Sequence, residues 1–204
     1  MKLRYVILTT ALLLGYGNGY SQENNVVLNY NQLTVGYTHL SSGDLDLDGN
    51  GIGLSASARY SNFVISTGLS NTWIEDTEAN LLQVGVGVGY VFEMSDSLHL
   101  VPSITVDYEK IHDWEYYYAD AWVFTPSVSL NYAASDALQL SVGIGYSDPF
   151  NVELLEEDIS DYADGAFVGS LSAEYAISPS VGLRVGIGLS ENQNAYGIGL
   201  SWHY

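Results

Sequence analysis

Beyond the first two dozen residues, apolar side chains recur at every second position rather than every third or fourth. Over 82–93, Leu82, Val84, Val86, Val88, Tyr90 and Phe92 share one side, and Gln83, Gly85, Gly87, Gly89 and Glu93 the other, with Val91 as the exception. A period of two is that of a β-strand, whose successive side chains point to opposite faces. The run 138–147 repeats it, with Leu138, Leu140, Val142, Ile144 and Tyr146 against Gln139, Ser141, Gly143, Gly145 and Ser147. So do 181–190 and the final stretch Tyr196, Ile198, Leu200, Trp202 and Tyr204. Further runs lie at about 31–40, 51–60, 63–74, 98–111, 122–133 and 166–177, which makes ten predicted strands. Their second face is small and polar.

Alternation alone does not separate a soluble sandwich from a membrane barrel, because both bury one apolar side. The links between runs do. Short ones fall at Ser61-Asn62, Ser95–Ser97, Ala134–Asp136 and Ser178–Ser180; longer ones fall at 41–50, 75–80, 112–121, 148–165 and 191–194. Strict alternation of tight turns and longer loops, with an even strand count, is the pattern of transmembrane β-barrels, whose tight turns are periplasmic. Most runs reach the roughly 9–11 residues that a tilted strand needs to cross a bilayer.

Aromatic residues sort to the strand ends. Tyr60, Phe63, Phe92, Tyr132, Tyr175, Trp202 and Tyr204 lie toward the short turns; Tyr37, Trp73, Tyr108, Trp122, Tyr146, Phe167 and Tyr196 lie toward the long loops. Two such bands on the apolar face are the girdles of a bilayer-spanning barrel. No segment is continuously apolar over about 18 residues, so no transmembrane helix is expected. Residues 1–21 have the form of a secretory leader. Lys2 and Arg4 form a positive start, Val6 to Leu14 a short apolar core, and small residues suit cleavage before Gln22 or before Tyr20. The expected organisation is a leader, 1–21, and one barrel domain, 22–204.

Charge narrows the function. The chain carries 5 Lys+Arg against 24 Asp+Glu. Past the leader only Arg59, Lys110 and Arg184 remain, three bases against 24 acids, or −21. A surface this acidic repels phosphate backbones and excludes nucleic-acid binding. With no cysteine, disulfides, thiolate metal sites and lipid-modified cysteine are excluded.

The terminal sequence Gly-Leu-Ser-Trp-His-Tyr (199–204) resembles the outer-membrane insertion signal, Gly-x-x-aromatic-x-aromatic, through Gly199, Trp202 and Tyr204. Tyr204 stands where Phe is usual. Residues 30–204 resemble the small Gram-negative outer-membrane barrel proteins with Gly-rich strands and acidic loops. Val35-Gly36-Tyr37 ahead of an Asp-Leu-Asp-Leu-Asp-Gly loop carries that likeness, as does Val86-Gly87-Val88-Gly89-Tyr90. The resemblance implies a transmembrane antiparallel up-and-down barrel of about ten strands, with eight as the alternative. It also implies the insertion machinery, outer-membrane lipid and lipopolysaccharide as partners, and a monomer.

Four sets of residues invite chemistry. Asp44, Asp46 and Asp48, with Gly49 sixth in line, begin like a calcium loop, but the twelfth position is Ser55 where an EF-hand has Glu. Ca²⁺ is the one cofactor the sequence leaves open, against a plain solvated acidic loop. Glu153, Glu156, Glu157, Asp158, Asp161 and Asp164 crowd the fourth long loop, either gathering divalent cations at lipopolysaccharide phosphates or simply keeping the loop solvated. Arg59 and Arg184 fall on the lumen face with Glu93, Asp107, Glu109 and Glu174. There they form an ion-pair network that plugs the barrel or a charged constriction in a pore. Runs two and nine are not neighbours, so the two arginines are expected to serve different acids.

His39 and His112 are expected near the outer rim, and His99 and His203 near the periplasmic end, facing in. Ser41, Ser42 and Asp113 are sequence neighbours of the rim histidines, but no nucleophile signature surrounds them. The expectation is therefore no catalytic residue and no enzyme. A structural or surface-interaction barrel comes first, and a narrow, weakly cation-selective, porin-like channel second.

Overall fold

In a computed structural model of the chain, residues 19–20, 28–42, 47–77, 79–114, 117–154, 157–158, 165–191 and 193–204 are described. Ten long strands follow one another: β1 Gln32–Ser42, β2 Leu47–Tyr60, β3 Phe63–Ile74, β4 Asn80–Tyr90, β5 Leu98–Trp114, β6 Tyr117–Ser135, β7 Leu138–Leu154, β8 Ala166–Ser178, β9 Val181–Ser190 and β10 Asn194–His203. Each pairs antiparallel with its sequence neighbours, and β10 pairs with β1 from Asn194↔Ser41 to His203↔Gln32. The sheet is therefore a closed ten-stranded barrel without a free edge, the arrangement that satisfies every backbone group inside a bilayer. Short pieces at Phe92–Ser95 and Glu157–Asp158 add to its rims, and Gly19–Tyr20 pairs with Leu28–Asn29.

Tight turns lie at Ser61–Asn62, Asp96–Ser97, Asp136–Ala137 and Pro179–Ser180. They fall within two residues of the places read from the sequence. Ser61 takes φ 55°, the left-handed conformation favoured at the first central position of a tight hairpin turn. The long-loop side differs more. β2 starts at Leu47, and β5, β6 and β7 run well past 111, before 122 and past 147, so much of the stretches 41–50, 112–121 and 148–165 is strand. Alternation fades where both faces are wet, but the backbone ladder still satisfies N–H and C=O groups there.

The outward face is an apolar belt. Ile52, Ile65, Val86, Ile144, Leu171 and Ile198 are at least half exposed. All fourteen sequence-sorted aromatics sit on this side, and all but Tyr108 are exposed. Tyr108 is half-buried because it packs on Trp122 and donates a hydrogen bond to Asp120. No water-soluble fold leaves so continuous an apolar band uncovered.

Candidate functional site

The inner face corrects one expectation: it is not uniformly small and polar. Val91, the exception within 82–93, is where the strand breaks between Tyr90 and Phe92, and its side chain points into the barrel at 1% exposure. There it joins Val64 of β3, Val101 of β5 and Ala133 of β6. Leu28 and Tyr30, from the chain just ahead of β1, complete this apolar tier at the short-turn mouth. The segment is tied down on several sides. Tyr30 Oη lies 3.0 Å from His99 Nδ1, and the two rings stack with centroids 5.9 Å apart. Ser57 Oγ donates to the Tyr30 carbonyl at 2.8 Å. The Arg59 amide donates to Asn31 Oδ1 at 2.7 Å, and the Arg59 guanidinium sits 5.7 Å from the centre of the Tyr30 ring. Burial pushes the Tyr30 hydroxyl well above its ordinary pKa, so it stays protonated.

A second apolar cluster lies inside the barrel toward the long-loop mouth. Leu40 of β1, Leu81 of β4 and Ala195 of β10 are packed together, with Ile111 of β5 against them. Leu40 and Leu81 are three strands apart, so their contact crosses the lumen rather than following the wall.

Between the tiers the lumen is polar and hydrogen-bonded. Gln83 donates to Glu109 at 2.7 Å and accepts from Ser70 at 3.1 Å. Thr125 and Ser147 are 2.9 Å apart, Ser103 and Ser127 2.8 Å. On the opposite wall Ser201 donates to Glu174 Oε2 at 3.2 Å, and His203 Nε2 lies 2.8 Å from Glu174 Oε1. Arg184, cross-strand partner of Glu174, donates to Ser172 at 3.2 Å.

The six lumen charges thus occupy three places. Arg59 pairs with Glu93 at the short-turn rim, where the guanidinium holds the exposed Glu93 carboxyl below its usual range. Glu174 and Arg184 are deeply buried side by side on β8 and β9. Asp107 and Glu109 project from β5, and Asp107 fills the space over Gly85 so tightly that a Cβ there would fall 1.8 Å from Asp107 Oδ1. Gly182 likewise gives room to Glu174, whose Oε1 a Cβ would meet at 2.6 Å.

The other predicted residues fall as follows. Asp48 is exposed near the start of β2, opposite Ser41 of β1; Asp44 and Asp46 lie outside the described residues. So do Glu156, Asp161 and Asp164 of the fourth long loop, while Glu153 pairs with Asp158 through the backbone. Among the described residues no cluster of three His, Asp or Glu is arranged to hold a metal ion. Trp202 and Tyr204 end the barrel on its outer face, the Tyr204 hydroxyl donating to the Ser57 carbonyl at 3.1 Å. Gly199 lies inward on β10, against the β1 backbone. Sequence reasoning missed Leu28 and Tyr30, which precede any alternating run. The one available signal was Val91, an aliphatic residue out of phase.

No family model and no curated sequence matches the chain. Among solved structures it is similar to an outer-membrane channel of Pseudomonas putida F1, at 9% identity and a TM-score of 0.51, over 90% of this chain and 99% of that one. It is also similar to the NanC porin, at 13% identity and 0.49 over 84% and 100%, and to Neisserial surface protein A, at 12% and 0.44 over 85% and 95%. At such identities the likeness concerns the fold alone. With its closed sheet, exposed apolar belt and paired aromatic girdles, the protein is a bacterial outer-membrane β-barrel.

Proposed function

We propose that the barrel is a closed structural or surface-interaction protein of a Gram-negative outer membrane, acting through its acidic outside face rather than by conduction. The observation that carries this is Tyr30, 1% exposed inside the short-turn mouth, with a second apolar tier toward the other mouth. Two dry tiers in series oppose ion passage even though the wall between them is acidic. In this reading residues 1–21 are a leader cleaved on export, and Gly199, Trp202 and Tyr204 direct insertion by the assembly machinery. The barrel then works as a monomer among lipid and lipopolysaccharide. The six lumen charges are structural: Asp107, Glu109, Glu174 and Arg184 tie strands together between the tiers, and Arg59 and Glu93 do so at the short-turn rim.

A second reading, a narrow cation-selective channel, is favoured by Asp107, Glu109 and Glu174 in the lumen. Planar-bilayer recording separates the two. The closed reading expects no unitary steps from purified wild-type protein. Steady steps with a cation-selective reversal potential would overturn it in favour of the channel.

A further inference from the structure

On the outside of the barrel, where β10, β1 and β2 reach the long-loop rim, lies a polar cluster that the lumen does not use. Asn50 on β2 is the cross-strand partner of His39 on β1. Its Oδ1 lies 3.1 Å from His39 Nδ1 and also accepts from the Tyr37 hydroxyl, while its Nδ2 donates to Glu75 Oε1. A carboxylate only accepts, so Glu75 fixes the amide with its nitrogen outward and its oxygen toward the ring. An amide oxygen cannot donate, so Nδ1 carries a proton, and in the neutral ring the lone pair is the one on Nε2. The ring also stacks on Tyr196, with centroids 6.5 Å apart. This is a base whose tautomer and plane are held by an orienting amide, two of the parts an acyl-transfer site needs. Strand alternation brings Ser41 to the same face, two residues along. Asn194, on that face of β10, is the cross-strand partner of Ser41. Exposed Tyr37, Trp73 and Tyr196 ring the patch at the level of the interfacial girdle.

We propose that this patch is an ester-hydrolysing site opening sideways onto the outer leaflet, with Ser41 as nucleophile, His39 as general base, Asn50 as positioning residue and the Asn194 amide as oxyanion donor. Its substrate is the carboxylic ester of an acylated lipid, a glycerophospholipid or an acyl chain of lipopolysaccharide, because an ester at the girdle of a barrel's outer wall is a lipid ester. Ser41 Oγ bonds to the ester carbonyl carbon as its proton passes to His39 Nε2. The tetrahedral oxyanion collapses, the ester C–O bond breaks, and the leaving alcohol takes the proton from His39. Water, giving a proton to the same nitrogen, then cleaves the Ser41 ester and releases the carboxylic acid, with that proton returning to Ser41. One ester and one water give one alcohol and one acid. Ser41 and His39 share no hydrogen bond in this structure, so a rotation about the Ser41 χ1 completes the site as the ester enters.

The test uses refolded full-length protein in detergent micelles carrying diacyl glycerophospholipid or, separately, purified lipopolysaccharide. Free fatty acid is measured by mass spectrometry, and a serine-directed fluorophosphonate is mapped on the chain. The probe is expected on Ser41, and acid release from one lipid identifies the source of the ester. Ser41→Ala and His39→Ala should each lower release at least about 100-fold, with unboiled gel migration confirming a folded barrel. Asn50→Ala should lower kcat while leaving KM unchanged. A folded wild-type barrel that takes no probe at Ser41 and releases acid from neither lipid overturns the proposal. Release that survives Ser41→Ala overturns it equally.

Discussion

Tyr30→Ala should destabilise the barrel by about 3–5 kcal/mol, the usual range for deleting a buried aromatic side chain. Tyr30 is 1% exposed, and a tyrosine so placed removes about 150–250 Å² from water. At about 25 cal/mol/Å² its apolar part alone accounts for about 3–4 kcal/mol. The hydrogen bond to His99 adds about 1 kcal/mol. There is also a ceiling. The segment carrying Leu28 and Tyr30 is not itself part of the wall, so the loss cannot exceed the free energy with which that segment docks inside the mouth. Leu28→Ala placed on top of Tyr30→Ala should therefore cost much less than Leu28→Ala alone, a non-additivity expected of two side chains in one cluster. Tyr30→Phe keeps the ring and loses only the hydroxyl, at about 1–3 kcal/mol because His99 Nδ1 loses a buried partner. Urea unfolding in lipid vesicles, followed by tryptophan fluorescence and gel mobility, reads all four proteins. A Tyr30→Ala midpoint within about 0.5 kcal/mol of wild type, the scatter of a surface change, would refute the seated segment and the closed mouth with it.

Two further predictions concern the wall. Val86 is 61% exposed in mid-strand on the outer face, so Val86→Arg should cost about 2–4 kcal/mol. Gly87→Ser, one residue along and facing the lumen, should be much milder, and Gly85→Ala should fall between, because Asp107 must swing aside; equal losses for Val86→Arg and Gly87→Ser in urea unfolding would show the strand register to be wrong. Arg184→Ala removes the buried cation opposite Glu174, whose carboxylate keeps Ser201 and His203, and takes the donor from Ser172, so it should cost about 1–3 kcal/mol, less where lumen water enters. Adding Glu174→Gln should recover part of it, and a loss below about 1 kcal/mol for Arg184→Ala would mean the pair is solvated.

Much of this architecture was legible in the residues because a strand in a barrel wall is a local object. Leu138 to Ser147 alternates whether or not its partners are known, since lipid on one side and lumen on the other impose a period of two. Ser61-Asn62 and the acidic stretch after Leu40 mark turns by composition, and the aromatics mark the interfaces by themselves. Strand count, inside and outside faces, and the girdles therefore follow from the chain alone. The extra length of β5, β6 and β7 does not, because pairing beyond the bilayer depends on a neighbour's backbone and leaves no apolar period behind.

What fills the lumen was decided only by closure of the sheet. Val64 on β3, Val91 just past the end of β4 and Val101 on β5 look like lapses in the pattern until the ring brings them round Tyr30. Leu40 and Leu81 are 41 positions apart and meet only across the barrel. The six lumen charges all lie on the inner face, but a face says nothing about height or angle around the axis. Register set Glu174 against Arg184 and left Arg59 to Glu93. The same holds for His39 and Asn50: each is an ordinary polar residue in its own strand, and only the β1–β2 ladder gives the imidazole its orienting partner. The residue pattern alone defines a period, and hence a wall. Contacts across that wall's interior and between its strands are long-range, and no local pattern of apolar and polar residues encodes which of them the closed ring will bring together.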